Sequence, residues 1–146
     1  MEHGVAEADL WYDPIVTPAS SQQNQVVSCH EFMRDILPAM APDALSTCGL
    51  SNVSNGAPEK LRPILNQVYM IMLKACGLKS AIMDPQAEGL MAIARDKVPE
   101  LEPIVNRTVA GEEIDPGSLS KEELDYFKTT KVLLGQILYS DSWLDL

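Results

Sequence analysis

The sequence is poor in basic residues and in histidine. Lys and Arg number 11 against 21 Asp and Glu, and the formal net charge is −10. Because nucleic-acid binding depends on clustered Lys and Arg that neutralise phosphates, we expect no nucleic-acid partner. The two histidines, His3 and His30, are far apart, so the sequence indicates neither a protein-built metal site nor a Ser-His-Asp arrangement.

Paired cysteines and long apolar runs are also missing. Cys29, Cys48 and Cys76 are widely spaced without a C-x-x-C motif, which indicates neither disulfides nor a zinc knuckle and predicts reduced, mostly buried thiols. No window approaches the roughly 18 apolar residues that a membrane span needs, and the N-terminus lacks a signal-peptide pattern. We therefore expect a cytoplasmic protein without a membrane association.

What is present is enough apolar material for one core. The chain has 146 residues, of which 46% are hydrophobic and 22% charged, as is typical of a single globular domain. Three short segments are predicted to be strands, and each ends in polar or turn-forming residues. These segments are Leu10 to Tyr12, Leu45 to Leu50, and Ser80 to Met83.

Apolar stripes with helical spacing separate the predicted strands. The first stripe is Val26, Cys29, Met33, Ile36 and Leu37; the second is Leu61, Ile64, Leu65, Val68, Ile71, Met72 and Ala75. Alternating strands and helices predict an α/β fold with parallel strands, either a doubly wound sheet or a (β/α) barrel. In both, functional groups lie at the C-terminal ends of the strands.

The last third of the chain is less regular. Residues Leu90 to Ala94 are predicted to form a short helix, and the Pro-, Gly- and acid-rich stretch 98–117 is interpreted as an excursion from the core. Ser120 and Glu123 form a capping-box pattern that opens a final helix. Four apolar residues are predicted to share one face of that helix: Leu124, Phe127, Leu134 and Leu138.

Polar residues follow all three predicted strands. Asn52 lies in a turn, Gly49 to Gly56, rich in hydrogen-bonding groups; it can contact a polar heterocycle, cap the next helix or bond to backbone. Asp13 and Asp84 each precede a proline, which directs the chain away from helix. Asp13 can bind a cyclic amidine through paired hydrogen bonds, or it can be satisfied by local amides.

The sequence leaves the roles of two further residues undecided. Arg62 begins the second helical pattern near the Asn52 turn, where it can reach an anionic group or form a surface salt bridge. His30 borders an apolar stripe beside Glu31, and we expect a hydrogen-bonded or solvated imidazole there.

Several of these segments resemble the pterin-binding methyltransferases, specifically the methyltetrahydrofolate:corrinoid/iron-sulfur protein methyltransferases. More distantly they resemble the folate-binding region of cobalamin-dependent methionine synthase. The segments are Asp9 to Ile15, Cys48 to Ser54, Arg62 to Asn66 and Ala75 to Asp84, and Leu134 to Ser142 resembles the closing helix of the family. The likeness runs over most of the chain apart from residues 98–117.

The resemblance implies a (β/α)8 TIM barrel of which this chain holds the sixth, seventh and eighth strands, about three βα units. A full barrel takes about 250 residues. Residues 1–146 would thus be a partial pterin-binding domain, with an acidic excursion at about 98–117. We expect another chain or a longer product to supply the first five strands, and homo-oligomerisation can contribute as well.

The resemblance also implies an enzyme. It would transfer a methyl group from 5-methyltetrahydrofolate to the cobalt of a corrinoid, a cobalamin carried by a partner protein. Because the cobalt is the nucleophile, no side-chain nucleophile is needed. Asn52 would be catalytic, bonding N5 of the folate, and Asp13 would hold the pterin ring. The remaining substrate-binding residues would be Gly49, Ser51, Ser54, Asn55, Arg62 and Asp84.

Two alternatives stay open at this level. The chain can be a noncatalytic or truncated interaction module in which its acidic surface and residues 98–117 serve docking. It can also be a dihydropteroate synthase-like enzyme that condenses a pterin diphosphate with an arylamine, although the Ser51 to Ser54 turn fits that family poorly. The turn Asn55 to Leu61 departs from the methyltransferase pattern, which leaves the role of Asn55 open.

Overall fold

The computed structural model describes residues 4–145 and has an α/β architecture with one small parallel sheet. Its strands lie in the order β1 (Trp11–Tyr12), β2 (Leu45–Gly49) and β3 (Ser80–Ile82). The predicted strands are confirmed, each one residue shorter than expected. The helices are α1 (Ala19–Glu31), α2 (Leu37–Met40), α3 (Arg62–Ala75), α4 (Glu88–Ala94), α5 (Glu102–Val109) and α6 (Lys121–Leu133).

The two faces of the sheet differ in burial. Side chains alternate between faces along a strand, so Ser46 and Cys48 point to one face and are buried. Trp11 pairs with Leu45 and Ile82 pairs with Gly49, which places both on the other face. Trp11 is 54% exposed and Ile82 is 71% exposed. One face of the sheet is therefore covered, and the other is open.

Helix α3 is the centre of the apolar core. Leu65, Val68 and the run Tyr69 to Leu73 are all buried, and the helix contacts α4, α5 and α6. Pro63 lies in its first turn, where a missing amide hydrogen costs nothing. At its end Gly77 adopts a positive φ of 89°, and Leu78 donates its amide to the Leu73 carbonyl.

The first helical stripe is interrupted by a π-helical segment, Phe32–Ile36, between α1 and α2. Val26, Cys29, Met33 and Leu37 are buried as predicted. The expectation for Ile36 is wrong, because its side chain is 52% exposed. A π turn holds more residues than an α turn, so it rotates the following positions away from the face that regular spacing predicts.

The middle of residues 98–117 differs from the interpretation as an excursion. Helix α5 lies there, and Leu101, Ile104, Val105 and Thr108 are buried. It contacts α3 and α6. The residues after it, Gly111 to Gly117, are exposed except for the partly buried Ile114, so only the flanks of α5 run along the surface.

Helix α6 begins with the predicted capping box. Glu123 donates its amide to the Ser120 hydroxyl at 3.3 Å, and Ser120 donates its amide to the Glu123 carboxylate at 2.8 Å. The predicted end is wrong, since the helix stops at Leu133 and Leu138 is 82% exposed. Residues 134–142 form no helix. Gly135, with φ of 70°, terminates α6 in a left-handed turn.

The chain after α6 packs back against α1 through Gln23. Its Nε2 donates to the carbonyls of Val132 at 2.6 Å and Ile137 at 2.7 Å, and its Oε1 accepts from the Tyr139 amide at 3.1 Å. Trp143 is fully buried and donates from Nε1 to the Thr129 hydroxyl at 2.9 Å. These bonds fix a segment that lacks regular structure.

The three cysteines are free thiols, as the sequence predicts. Cys29 and Cys48 are buried and Cys76 is partly buried, and all three are free, which confirms the predicted thiols. Burial raises the pKa of the Cys48 thiol to about 12, so it carries no thiolate at neutral pH. Within residues 4–145 no helix combines the length and apolarity that crossing a membrane requires.

His30 is buried without a hydrogen bond, contrary to the expectation of a bonded or solvated ring. Its side chain is 1% exposed, and neither ring nitrogen has a partner among the described residues. Burial, reinforced by the charge of Arg34, lowers the pKa of His30 to about 4. The other histidine, His3, lies outside the described residues.

We expect His30 to make stability depend on pH. Between its unfolded pKa of about 6.5 and its folded pKa of about 4, the unfolded chain binds the proton and the folded chain does not. Stability therefore falls by about 3 kcal/mol as pH drops through this window. Urea unfolding at a series of pH values should show this loss in the wild type and not in His30→Leu. A His30→Gln variant, polar but not titrating, should also lack it; an unchanged slope in both variants would contradict the prediction.

Candidate functional site

The site is built on the turn that follows the central strand. After β2 ends at Gly49, the chain forms a 3₁₀ turn, Leu50–Ser54. Leu50 and Val53 are fully buried, and they anchor the turn in the core. Asn52 lies between these anchors and is exposed. The alternation of anchors and polar residues therefore directs Asn52 outward at the C-terminal end of the sheet.

A chain of hydrogen bonds holds the Asn52 side chain. Arg62 donates from Nε to the Ser54 carbonyl at 3.3 Å and from its terminal nitrogen to Asn55 Oδ1 at 3.1 Å. Asn55 in turn donates from Nδ2 to Asn52 Oδ1 at 3.2 Å. Because Asn52 Oδ1 accepts this bond, its Nδ2 group is left as a donor. Asn55 thus links Arg62 to Asn52 within the turn.

Two glycines leave the space that these hydrogen-bonded side chains occupy. A Cβ at Gly49 would lie 3.1 Å from Asn52 Nδ2, so this amide would have to shift by a few tenths of an ångström. Gly56 has a φ of 78°, and a Cβ there would lie 2.8 Å from the Ser20 hydroxyl. That hydroxyl donates to the Asn55 carbonyl at 2.8 Å. Both glycines therefore lie in close contacts, and a larger residue at Gly56 would displace the Ser20 hydroxyl.

A cavity of about 510 Å³ opens beside this turn, between the start of α3 and the loop from β3 to α4. It brings together four of the predicted site residues: Ser51, Ser54, Arg62 and Asp84. Two carboxylates, those of Glu59 and Glu88, add negative charge to its wall. The remaining lining residues are Pro63, Asn66, Gln67, Ala87, Gly89 and Leu90. The cavity is thus polar on several sides and lies at the C-terminal ends of β2 and β3.

The other predicted site residues do not line the cavity. Gly49, Asn52 and Asn55 lie beside it on the turn. Asp13 follows β1, is exposed, and has no side-chain hydrogen bond among residues 4–145. Asp84 accepts the Gln86 amide on Oδ1 at 2.9 Å, which is the local bond expected of a loop aspartate. The structure therefore groups Asp84 with Arg62 and leaves Asp13 apart.

Sequence reasoning missed Asn66 and Gln67 as cavity residues. Asn66 lies one helical turn after Arg62, on the same face of α3, so helical spacing could have indicated it. Its Oδ1 is buried without a hydrogen-bond partner in the described chain. Gln67 accepts a bond from the Tyr126 hydroxyl, and a Cβ at Gly89 would clash with its Nε2. Gln67 thus depends on α6, which no local pattern reveals.

The chemistry that these groups offer is hydrogen bonding and electrostatics. The part of the chain that the structure describes has no cluster of three or more His, Cys, Asp or Glu residues that could hold a metal ion. Burial raises the pKa of the Cys29 thiol as well as that of Cys48, and both belong to the core. The cavity can orient a polar ligand through Arg62, Asn66 and carboxylates.

We expect Asn55→Ala to release the Asn52 side chain without unfolding the protein. The lost bonds are exposed, so the free energy of unfolding should change by no more than about 1 kcal/mol. Nuclear magnetic resonance should show the Asn52 side-chain amide becoming mobile. Asn24→Ala, an exposed residue of α1 without a side-chain bond among the described residues, is the control. An equally ordered Asn52 amide in Asn55→Ala would show that the bond chain has no positioning role.

Comparison with known proteins gives a partial relationship. No protein-family model matches the chain. Over 93 residues, 62% of the chain, the sequence is 31% identical to a methylcorrinoid:tetrahydrofolate methyltransferase of Eubacterium limosum. The match covers 32% of that protein, so the chain spans about a third of the length of the curated relative it matches. This chain is thus similar to part of a methyltransferase whose name couples a corrinoid to a folate.

Proposed function

We propose that this chain forms one wall of a pterin site and takes part in methyl transfer between a folate and the cobalt of a corrinoid. The observation that carries the proposal is the Asn52 amide, held by Asn55 and Arg62 beside a cavity with several polar and charged lining residues at the ends of parallel strands. The name of the relative, a methylcorrinoid:tetrahydrofolate methyltransferase, supports the same chemistry.

The role proposed for Asn52 follows from the chemistry at N5 of the folate. When the methyl group leaves N5 of 5-methyltetrahydrofolate and bonds to the cobalt, the electron pair of the broken C–N bond stays on the nitrogen, which takes up a proton from water to give tetrahydrofolate. A fixed donor near N5 stabilises this growing charge more than it stabilises the substrate. Asn52 Nδ2 is such a donor, since its Oδ1 is already bonded to Asn55. The methyl acceptor in this proposal is a corrinoid cobalt carried by a partner protein.

The cavity residues are proposed to hold the pterin ring. A pterin presents N–H groups of a cyclic amidine on one edge, and carboxylates accept two such bonds together. Glu88 and the free oxygen of Asp84 are candidates for this pairing. Asn66 Oδ1, buried without a partner, offers a further acceptor. We propose that Asp13 contacts the ligand only when further βα units complete the pocket and hold the ligand at the end of β1.

The other wall is proposed to come from further βα units of a (β/α)8 barrel. Parallel sheets are normally covered on both faces, whereas here the face with Trp11 and Ile82 is open. Strands β1 and β3 each have one neighbour, so both edges of the sheet can accept another parallel strand. A second chain, or more of the same polypeptide, would bury these residues and close the barrel; association of copies of this chain can contribute.

The direction of transfer is a separate part of the proposal. We propose transfer from 5-methyltetrahydrofolate to cobalt. The relative is named instead for a methylcorrinoid and tetrahydrofolate, so its name places the methyl group on the corrinoid. Both directions pass through the same transition state, so Asn52 would serve either one. The relative supply of methylated folate and methylated corrinoid would then decide the net flow.

Binding is the first test. We expect 5-methyltetrahydrofolate added to the ¹⁵N-labelled chain to shift amide signals at Ser51, Ser54, Arg62 and Asp84, with a dissociation constant in the millimolar range because one wall is missing. The Asn24→Ala variant should show the same shifts. If saturating folate moves no signal at the cavity, the pterin site is refuted and the reading as a noncatalytic interaction module is favoured.

Catalysis is the second test. In the chain combined with the strands that complete its barrel, we expect Asn52→Ala to lower the rate of methyl transfer about 100-fold with little change in folate affinity, because the donor acts mainly in the transition state. Transfer can be followed by the absorbance of the cobalt. Asn24→Ala should transfer at the wild-type rate. A wild-type rate in Asn52→Ala would remove Asn52 from the mechanism.

A further inference from the structure

A second cavity lies at the opposite end of α3 from the candidate site. It has a volume of about 450 Å³, within the range of small-molecule pockets, and opens between the ends of α3 and α5 and the π-helical segment Phe32–Ile36. Among residues 4–145 the two cavities share no lining residue. Arg62 of the candidate site and Met72 of the second cavity are ten residues apart on α3, about 15 Å along its axis. The second cavity is therefore separate from the proposed pterin site.

The floor of this second cavity is buried and its rim is exposed. His30 and Met72 lie at the floor and are buried, Cys76 and Val109 are partly buried on the walls, and Arg34 is exposed at the mouth. Apolar groups make up most of this lining. Methionine thioethers make favourable contacts with aromatic rings. The floor therefore presents one imidazole on a surface that suits an apolar or aromatic body.

The His30 ring has unused hydrogen-bonding capacity at this floor. Neither Nδ1 nor Nε2 has a partner among residues 4–145. Burial lowers the pKa of His30 to about 4, so the ring is uncharged at neutral pH, with one nitrogen as a donor and the other as an acceptor. A buried polar group gains stability from a partner that reaches it. A hydroxyl suits either tautomer of the ring, because it donates as well as accepts.

The π-helical segment forms one side of this cavity. It begins two residues after His30 and carries Arg34 at the mouth. Single π turns inside helices occur frequently at functional sites. The interruption of the first helical stripe therefore coincides with the cavity and with the unpartnered imidazole.

The charges around the second cavity favour an uncharged ligand. Arg34 donates from Nε and from a terminal nitrogen to the two carboxylate oxygens of Asp35, at 2.9 Å and 2.6 Å, so its charge is already balanced. The C-terminal ends of α3 and α5 border the cavity, and helix C-termini carry a partial negative charge that repels anions. Within the described chain no other lining residue is charged at neutral pH. An anionic ligand would thus find no free counter-charge here.

We propose that the second cavity binds a small uncharged molecule with a ring-sized apolar body and one hydroxyl group, which forms a hydrogen bond with the His30 ring. The apolar body packs against Met72 and Val109, and the hydroxyl supplies the partner that His30 lacks within residues 4–145. The inference is independent of the proposed function, since this cavity lies at the other end of α3 from the Asn52 turn.

The test uses phenol and toluene, which have nearly the same shape and differ in the hydroxyl. Titration of the ¹³C,¹⁵N-labelled chain with phenol should shift the His30 ring signals and the amide signals of Cys76 and Val109, with a dissociation constant in the sub-millimolar range. Toluene should bind about fivefold more weakly, because it lacks one hydrogen bond to a buried group. Benzoate, the charged analogue, should bind more weakly than phenol. Absence of these shifts with phenol, equal affinities for phenol and toluene, or tighter binding of benzoate would each overturn the proposal.

Variants on both sides of the cavity locate the binding. His30→Leu should remove the discrimination, so that phenol and toluene bind equally, whereas His30→Gln keeps a donor and an acceptor and should retain a preference for phenol. Ala110→Trp at the exposed rim should lower the affinity for both ligands at least tenfold by filling the mouth, and it tests the site without changing His30. The matched control is Ala39→Trp at an exposed position of α2, which should bind both ligands as the wild type does. A preference for phenol that survives in His30→Leu, or equal losses in the two Trp variants, would place the binding elsewhere and refute the site.

Discussion

The burial of helix α3 constrains the rest of this structure. The helix packs against the 3₁₀ turn Leu50–Ser54 and against the helices α4, α5 and α6, so it cannot move without disturbing all of them. Charged side chains near both ends of the helix form hydrogen bonds. Arg62 at the start fixes Asn55. Lys74 near the end bonds Asp96, Glu102 and the Ile93 carbonyl. One buried helix therefore positions the candidate site and also ties α4 and α5 to the core.

The candidate site combines rigid anchoring with polar groups that remain available. Leu50 and Val53 fix the turn by burial, and the chain of bonds from Arg62 through Asn55 fixes the amide of Asn52. Arg62 makes these bonds as a charged donor, which strengthens them relative to neutral bonds. The arrangement lowers the entropy cost of presenting a donor to a ligand. The turn offers oriented hydrogen-bonding groups and no reactive side chain, and the buried thiols have raised pKa values.

The sheet face that carries Trp11 and Ile82 is open, in contrast to the buried face with Ser46 and Cys48. Trp11 and Ile82 expose large apolar surfaces on two strands that flank β2. Burying such side chains contributes about 1.5–3 kcal/mol each. The strand edges also leave backbone donors and acceptors of β1 and β3 without strand partners. Both features leave space for further strands at this face and at these edges.

The strands, helix α3 and the capping box of α6 could be predicted from the sequence, because each depends on residues close together in the chain. The turn around Asn52 was likewise visible as a cluster of polar residues after a strand. The tertiary structure alone decided the burial of α5 against α3 and α6, and the exposure of Ile36 and Leu138. It also decided that Asp84 and Arg62 share a cavity while Asp13 does not. Local periodicity reports which face of an element is apolar, but which polar groups meet depends on how distant elements pack, and that information is spread over the whole chain.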